Sequence, residues 1–327
     1  MINGMNRRIF TRRLSLFASS LALAAMLPGC GEKKTKVAFV TNGASDFWIY
    51  AQAGIAKAEE ELGDIKAIYK VGGDAGVQRK VIDDLLVSGV EGVAFSPSAP
   101  KEQTDHIKTW AGQAKVMTVD SDAPDSARLL YLGTDNVAAG RQCGDLVKEA
   151  LPDGGKIMVF VGHGDQLNAV ERFEGLKQSL EGSNVEIIDL RTDGVDMATA
   201  RRNAEDTIVN HPDIAGMVGL FSYNAPQILA AVREAGKVGQ IKIVGFDEDA
   251  ITLKAIDAGE IHGTICQQPY KFGYESIKML HRLVVKGEKI EAMGLPENRQ
   301  IIIDTIMLRK GEGLDYLAKC DAWKAEM

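Results

Sequence analysis

The sequence predicts an α/β protein built from two doubly wound parallel-sheet domains that are joined by a multi-strand hinge. Along most of the chain, short apolar runs alternate with amphipathic stretches of helical spacing, a pattern typical of parallel strands covered on both faces by helices. The hexamer FSPSAP at 95–100 has a near copy, FSYNAP, at 221–226, and KVAFVTNG at 36–43 is echoed by KIMVFVGHG at 156–164. Such matches in the same order indicate two copies of one architecture.

The predicted elements follow that duplication along the chain. Strands are predicted at 36–41, 66–71, 92–95, 115–119, 156–161, 185–190, 215–220, 241–246 and 261–266. Amphipathic helices are predicted at 47–63, 75–89, 168–182 and 197–213. The segment 130–140 lies between the repeats and predicts the first crossover between the domains. A second crossover is predicted near 264–269, followed by a helix at 270–286 that returns to the first domain, and a third near 298–301.

The length of 327 residues suits two domains, each with its own core. The predicted boundaries are 36–133 with 268–299 for the N-terminal lobe and 134–267 with 300–327 for the C-terminal lobe. Thr134, Asp135 and Asn136 mark the first predicted hinge segment.

Polar segments follow several of the predicted strands. Besides the two hexamers, VDSDA at 119–123 and FDEDA at 246–250 both come at a strand end. Open α/β sheets bind ligands beyond the carboxyl ends of their strands. Two such edges that face each other therefore predict a cleft lined from both domains.

The first 29 residues are predicted to be a secretion signal peptide. A basic start with two arginine pairs precedes a short apolar stretch and small residues, as in segments that direct export. The ending LPGC resembles a bacterial lipobox in which Cys30 bears the lipid and residues 30–35 form a tether, although Pro28 departs from the usual small or β-branched residue. An unmodified Cys30, a retained membrane anchor, and either general or twin-arginine export stay open.

The composition disfavours several classes of function. The chain has 38 basic and 45 acidic residues, and loss of residues 1–29 would leave a formal charge of −11, which disfavours nucleic-acid binding because that affinity comes mainly from neutralised phosphates. Cys143, Cys266 and Cys320 have no metal-type or disulfide-type spacing, and the five histidines, including His163 in a solvated GHGD loop, have no metal-ligand spacing. We therefore predict no metal, no cofactor and at least one free, buried thiol.

The motifs GASDFW, VDSDA, GTDN, VERFEG, VGFDEDA and TICQQP occur in one order along the chain. Together they make it resemble the type I periplasmic binding proteins for monosaccharides, the ribose- and xylose-type receptors of ABC importers. The resemblance covers most of 36–290 and leaves 291–327 without an assigned role. It implies the type I periplasmic binding protein fold, a monosaccharide captured between the lobes by hinge closure, and delivery to an ABC transporter permease. It also implies a monomer outside the cytoplasm, here held to a bacterial membrane by the lipid on Cys30.

The resemblance further implies a set of ligand-binding residues. In such a site, carboxylates and amides bond sugar hydroxyls, a guanidinium donates two bonds, and aromatic rings cover the apolar faces of the sugar. The matching positions are Ser45, Asp46, Phe47, Trp48, Ser96, Asp120, Arg172, Phe221, Asn224, Asp247 and Gln267. A hydrophobic helix start is the alternative for Phe47 and Trp48, and a helix N-cap is the alternative for Asp247.

The chain departs from the ribose receptors at two places. They carry an Asn-Pro pair where this chain has Ser45 and Asp46, and an arginine where it has Ser121. The ligand therefore stays open among monosaccharides, polyols and furanone-like signals, and a sensor that docks to a membrane signalling receptor is an alternative function. A glycoside-processing enzyme is a further alternative, but Asp120 and Asp247 come from opposite domains and no GxSxG elbow, Cys–His pairing or nucleotide fingerprint is present. We predict a binding protein and not an enzyme.

Overall fold

Two six-stranded sheets organise the protein, for which the computed structural model describes residues 34–325 and residue 327. The predicted signal peptide, the predicted lipidation site Cys30 and most of the predicted tether lie outside these residues. We call the first sheet with its helices the first lobe and the second sheet with its helices the second lobe.

The two sheets have the same strand order. The first sheet contains β1 (Thr35–Val40), β2 (Ile65–Lys70), β3 (Gly92–Phe95), β4 (Lys115–Val119), β5 (Tyr131–Gly133) and β11 (Gln300–Ile302). The second contains β6 (Gly155–Val161), β7 (Val185–Thr192), β8 (Ile214–Gly219), β9 (Lys242–Phe246), β10 (Gly263–Cys266) and β12 (Ile306–Arg309). Their orders are β2-β1-β3-β4-β5-β11 and β7-β6-β8-β9-β10-β12. All pairs are parallel except β10 with β12, which confirms the predicted fold class.

Helices cover both faces of each sheet. The helices of the first lobe are α1 (Asp46–Leu62), α2 (Ala75–Val87), α3 (Pro100–Ala111) and α9 (Pro269–Val284). Those of the second lobe are α4 (Asn136–Ala150), α5 (Leu167–Leu180), α6 (Met197–Asn210), α7 (Asn224–Glu234), α8 (Ala250–Ala258) and α10 (Gly313–Ala325). A short 3₁₀ turn, Ile290–Ala292, follows α9.

Alternate residues of the central strands supply two cores in each lobe. In β1, Phe39 packs in the cluster that includes α1 and α9, whereas Val40 packs in the cluster that includes α2 and α3. In β6, Phe160 and Val159 likewise face opposite sides of the sheet. Because successive side chains of a strand point to opposite faces, a strand buried on both sides must be apolar throughout, and this is the origin of the uninterrupted apolar runs.

Glycines allow one pair of helices in each lobe to cross closely. A Cβ atom added to Gly54 of α1 would lie 2.0 Å from the carbonyl oxygen of Tyr270 in α9. A Cβ atom added to Gly140 of α4 would lie 2.1 Å from the carbonyl oxygen of Arg172 in α5. No side chain fits such gaps, so these glycines fix how α1 and α5 enter the region between the lobes.

The predicted boundary at residue 300 is wrong. β11 pairs in parallel with β5 and therefore belongs to the first sheet, so the last crossover follows Ile302 and precedes β12. The segment IIIDTIML contains two short apolar runs, and their composition does not distinguish which sheet each one joins. A backbone bond from the nitrogen of Tyr131 to the oxygen of Arg299, 2.9 Å long, extends the pairing toward β11.

Candidate functional site

A cleft of about 610 Å³ lies between the two lobes and is lined by residues that follow their strands. The predicted ligand-binding residues that line it are Ser45, Phe47, Trp48, Asp120, Arg172, Phe221, Asp247 and Gln267. The remaining three predicted residues, Asp46, Ser96 and Asn224, lie beside or behind the cleft wall.

Asp120 and Asp247 occupy equivalent places at the ends of β4 and β9. Each is 4% exposed, and each has a left-handed backbone, with φ of 63° and 68° respectively. Non-glycine residues avoid this region unless the surrounding structure holds them there. The strain directs both side chains toward the cleft instead of continuing the strands.

Each of these carboxylates accepts a hydrogen bond from a neighbouring side chain. Asp120 Oδ2 accepts a bond from Ser96 Oγ at 2.8 Å, and Asp247 Oδ1 accepts one from Gln267 Nε2 at 2.9 Å. Burial raises the pKa of Asp120 to about 6, although the nearby Arg172 charge and the Ser96 bond oppose this. Burial also raises the pKa of Asp247 against the influence of Arg172 and Gln267.

Arg172 brings a buried positive charge to the same cleft. It is 1% exposed, and its guanidinium lies 4.7 Å from the ring centroid of Phe246. Nε donates to Asn136 Oδ1 at 3.1 Å and Nη1 donates to the carbonyl of Leu220 at 2.8 Å. Nη2 has no hydrogen-bond partner among the described residues. A buried unpaired donor is costly, and this one belongs to a residue that lines the cleft.

The predicted hinge residues make structural bonds around Gln267. Thr134 Oγ1 donates to Gln267 Oε1 at 3.0 Å, so the Gln267 amide joins the first crossover to Asp247. Asp135 caps α4 by accepting a bond from the nitrogen of Ala138. Asn136 accepts the Arg172 bond described above and also contacts Glu171. Their role as a hinge stays a prediction.

Three of the predicted ligand-binding residues do not line the cleft directly. Asp46 is exposed and pairs with Lys324 at 3.7 Å, and it lines a neighbouring cavity of about 290 Å³. Ser96 is buried behind Asp120. Asn224 is buried and uses its amide internally: Nδ2 donates to Asp193 Oδ2 at 2.9 Å, and Oδ1 accepts from the nitrogen of Phe221 at 3.0 Å.

The aromatic residues of α1 line the cleft and also belong to the core. Phe47 is 8% exposed and Trp48 is 3% exposed, and both pack in the cluster that contains Phe272. The indole nitrogen of Trp48 donates to Asn42 Oδ1 at 3.1 Å. The alternative of a hydrophobic helix start is therefore compatible with a position on the cleft wall.

Several cleft residues were missed in the sequence analysis. These are chiefly Asn42, His163, Asp165, Gln166, Asn168 and Tyr223. His163, read there as a solvated loop residue, is exposed but lines the cleft. The GHGD loop follows β6 at the same sheet edge as the repeated hexamers, and that position was the signal available. Gln166 Nε2 reaches the first lobe and donates to the carbonyl of Ser98 at 3.4 Å.

The described residues contain neither a metal-type cluster nor a membrane-spanning helix. No group of three histidine, cysteine or acidic side chains in this part of the chain is arranged to hold a metal ion. No described helix is long and apolar enough to cross a membrane. Cys143, Cys266 and Cys320 are buried free thiols, in agreement with the prediction of at least one.

The sequence profile of the periplasmic binding protein domain matches residues 37–289. The chain belongs to this family. The ribose import binding protein RbsB of Salmonella typhimurium is 25% identical over 284 residues, which cover 86% of this chain and 95% of the relative. A solute-binding protein of an ABC transporter from Burkholderia graminis, solved with D-arabinose, is 26% identical, covers 86% of this chain and 97% of its own, and superposes with a TM-score of 0.79.

A third similarity concerns the fold alone. A carbohydrate transporter solute-binding protein from Agrobacterium radiobacter, solved with D-arabinose, superposes with a TM-score of 0.80 at 22% identity, over 89% of this chain and 99% of its own. The family and these relatives are binding proteins of transport systems. The chain is therefore a solute-binding protein and not an enzyme.

Proposed function

We propose that this protein captures a monosaccharide in the cleft between its lobes by hinge closure and delivers it to an ABC transporter permease. The observation that carries the proposal is that one cleft contains two buried strand-end carboxylates, one from each lobe, together with a buried guanidinium that has an unused donor. Asp120, Asp247 and Arg172 all line the cleft, yet no hydrogen bond or ion pair within 4 Å joins Arg172 to either carboxylate in the described structure.

A sugar hydroxyl is both a donor and an acceptor, and this matches the unused groups around the cleft. Asp120 and Asp247 supply carboxylate lone pairs that accept hydroxyl protons, and Arg172 Nη2 is a donor for a hydroxyl or ring oxygen. Phe47 and Phe221 provide apolar surface for the C–H faces of a sugar. A ligand that bridges these groups touches both lobes, so its binding stabilises the closed form.

The proposal includes a location outside the cytoplasm with the chain held by a lipid on Cys30. The lipobox-like LPGC and the preceding basic and apolar residues support it. Extraction of the full chain from a bacterial host, followed by intact mass measurement, tests the modification. The expected mass corresponds to a chain that starts at Cys30 and carries acyl groups, whereas Cys30→Ser leaves the membrane fraction. An unmodified full-length chain would refute the anchor without affecting the cleft.

Calorimetric titration tests the capture of a sugar. The full-length protein, purified in mild detergent and refolded to remove any bound ligand, is titrated with pentoses, hexoses, deoxysugars and polyols. We expect one sugar to bind tightly and its heat to disappear in Arg172→Gln. The matched control is Arg202→Gln, since Arg202 is exposed and donates to Thr199 Oγ1 of its own helix. Heat that survives in Arg172→Gln, or a flat trace for the unaltered protein across the whole panel, contradicts the proposal.

A further inference from the structure

Glu248 is a buried acid in the loop between β9 and α8. The residue is 1% exposed, and neither Oε1 nor Oε2 has a hydrogen-bond partner among the described residues. Buried polar groups in native proteins are almost always hydrogen-bonded, and an ionised carboxylate without a partner is far more costly than a neutral one. The site assigned above makes no use of this residue.

The surroundings of Glu248 favour the neutral acid. The titratable and charged groups that face it are Tyr50 from α1, Asp247 and Asp249 from its own loop, Cys266 from β10, and Tyr316, Cys320 and Lys324 from α10. The one cation, Lys324, is already paired with Asp46. Burial, followed by the charge of Asp247, raises the pKa of Glu248 well above its ordinary value.

The cover over Glu248 comes from both lobes. On the second-lobe side, α10 is anchored to α8 because Asp257 accepts bonds from the backbone nitrogens of Gly311 and Leu314, each at 2.6 Å. On the first-lobe side, Tyr50 packs in one cluster with Cys266, Tyr316 and Cys320. The carboxyl group is therefore closed in only while the two lobes are together.

The contacts between α10 and the first lobe lie beside the ligand cleft. Trp323 of α10 stacks on Tyr270 of α9, with ring centroids 4.8 Å apart. Tyr50 and Glu248 also line the cavity of about 290 Å³ that shares Ser45 and Asp247 with the cleft. A movement of α1 away from the second lobe would widen this cavity and admit water to the Glu248 carboxyl group.

We propose that closure of the two lobes holds a proton on Glu248, so that the closed form is favoured as the pH falls and opening is favoured as the pH rises. The proposal rests on the proposed function in that closure concerns the same cleft, but its tests need no ligand. In the open form the hydrated carboxyl group releases its proton at neutral pH, whereas the closed form retains it. Between the pKa of Glu248 in the open form and its pKa in the closed form, the equilibrium constant for closure changes by up to ten-fold per pH unit.

The first test measures proton uptake through stability. Urea unfolding is followed from about pH 5 to about pH 9 for the unaltered protein, Glu248→Gln and Glu91→Gln. Glu91 is an exposed glutamate far in sequence from the segments that join the lobes. Glu91→Gln therefore controls for the loss of one negative charge. An unfolded glutamate is ionised above about pH 4.3, so the folded state binds one more proton than the unfolded state. As the pH rises, we expect the folding constant of the unaltered protein to fall, relative to that of Glu248→Gln, by up to ten-fold per pH unit.

The second test measures closure itself. Small-angle X-ray scattering of the ligand-free protein over the same pH range reports its radius of gyration. We expect the radius to increase with pH in the unaltered protein and in Glu91→Gln, and to stay constant in Glu248→Gln. Parallel stability curves for the unaltered protein and Glu248→Gln would overturn the retained proton. A radius that does not depend on pH, or that changes equally in Glu248→Gln, would overturn its link to closure.

These outcomes are independent of whether a sugar binds. If the sugar panel gives no heat but both tests give the expected result, the proposed cargo is wrong while proton-linked closure stands. If a sugar binds and either test fails, capture stands without a contribution from Glu248.

Discussion

The tetrapeptides DSDA at 120–123 and DEDA at 247–250 follow equivalent strands of the two lobes, and they share the geometry of their first residue but not the contacts of their third. Asp120 and Asp247 have nearly the same φ and the same burial. The sheet edge determines that position, because a side chain there must turn into the cleft as the strand ends. The third residues, Asp122 and Asp249, have different partners in the two lobes.

The third residues of the two tetrapeptides, Asp122 and Asp249, make different structural contacts. Asp122 is buried and accepts bonds from Arg128 Nε at 2.5 Å, Arg128 Nη2 at 2.7 Å and Thr118 Oγ1 at 2.7 Å. Asp249 instead caps α8 by accepting from the nitrogen of Ile251 at 2.7 Å. The two lobes therefore share the strand-end carboxylate and differ in the contacts that support it.

The largest effect expected from this difference is on the buried pair in the first lobe. Arg128→Met leaves Asp122 buried without its cation, which costs about 3–5 kcal/mol of the free energy of unfolding. Urea unfolding at neutral pH measures the loss. The double variant Asp122→Asn with Arg128→Met is expected to regain much of it, because the uncompensated charge is gone. A single variant within about 1 kcal/mol of the unaltered protein would mean that the pair contributes little.

The pH dependence of Asp120 is the next largest expected effect. Its pKa is raised to about 6 in the folded protein against about 3.9 in an unfolded chain, so the folded state holds a proton that the unfolded state has released. Stability from this group is therefore present below about pH 4 and is lost as the pH rises to about 6, a total of about 3 kcal/mol. Asp120→Asn is expected to remove this slope from urea unfolding curves. A slope unchanged in that variant would contradict the assignment.

The two strand-end carboxylates are expected to contribute similarly to ligand affinity. A hydrogen bond to an ionised group is worth about 1.5–3 kcal/mol, so Asp120→Asn and Asp247→Asn should each weaken sugar binding by about 10- to 100-fold at pH 8. Calorimetric titration with the sugar identified from the panel measures both, with Asp153→Asn as an exposed control. Loss of affinity in only one of the two variants would show that the ligand engages a single lobe.

The sequence was sufficient for the repeated frame but not for the contacts that support it. Apolar strands buried on both faces predicted the sheets, and the duplicated strand-end motifs predicted that Asp120 and Asp247 face one cleft. The strand at Gln300–Ile302 was assigned to the wrong lobe because neighbouring apolar runs do not specify which sheet they join. Asn224 was predicted to bind ligand directly, yet its amide is occupied by Asp193 and Phe221, and such long-range partners leave no local pattern.

A smaller effect is expected from the third residue in the second lobe. Asp249→Ala removes the N-cap of α8, and such a loss costs about 1 kcal/mol. Asp196→Ala is the matched control, because Asp196 caps α6 of the same lobe by accepting from the nitrogen of Thr199 at 2.7 Å. Urea unfolding should give similar losses for both variants. If Asp249→Ala lowered the free energy of unfolding as much as Arg128→Met does, the third residues of the two tetrapeptides would be equally important for stability.

The smallest effect is expected at the second residue of the first tetrapeptide. Ser121 is 1% exposed, and its hydroxyl has no partner among the described residues. Removing a buried hydroxyl that makes no hydrogen bond costs no interaction, so Ser121→Ala should change the free energy of unfolding by less than about 0.5 kcal/mol or raise it slightly. Ser96→Ala is the matched control, because Ser96 is also buried but donates to Asp120 at 2.8 Å.

Urea unfolding of these two serine variants at pH 8 compares a hydroxyl that makes a hydrogen bond with one that makes none in the same lobe. Ser96→Ala should cost about 1.5–3 kcal/mol at that pH, where Asp120 is ionised. A comparable loss in Ser121→Ala would mean that its hydroxyl has a partner in solution, such as an ordered water. In that case the second residues, Ser121 and Glu248, would differ in their contacts, and the divergence between the tetrapeptides would begin at the second position instead of the third.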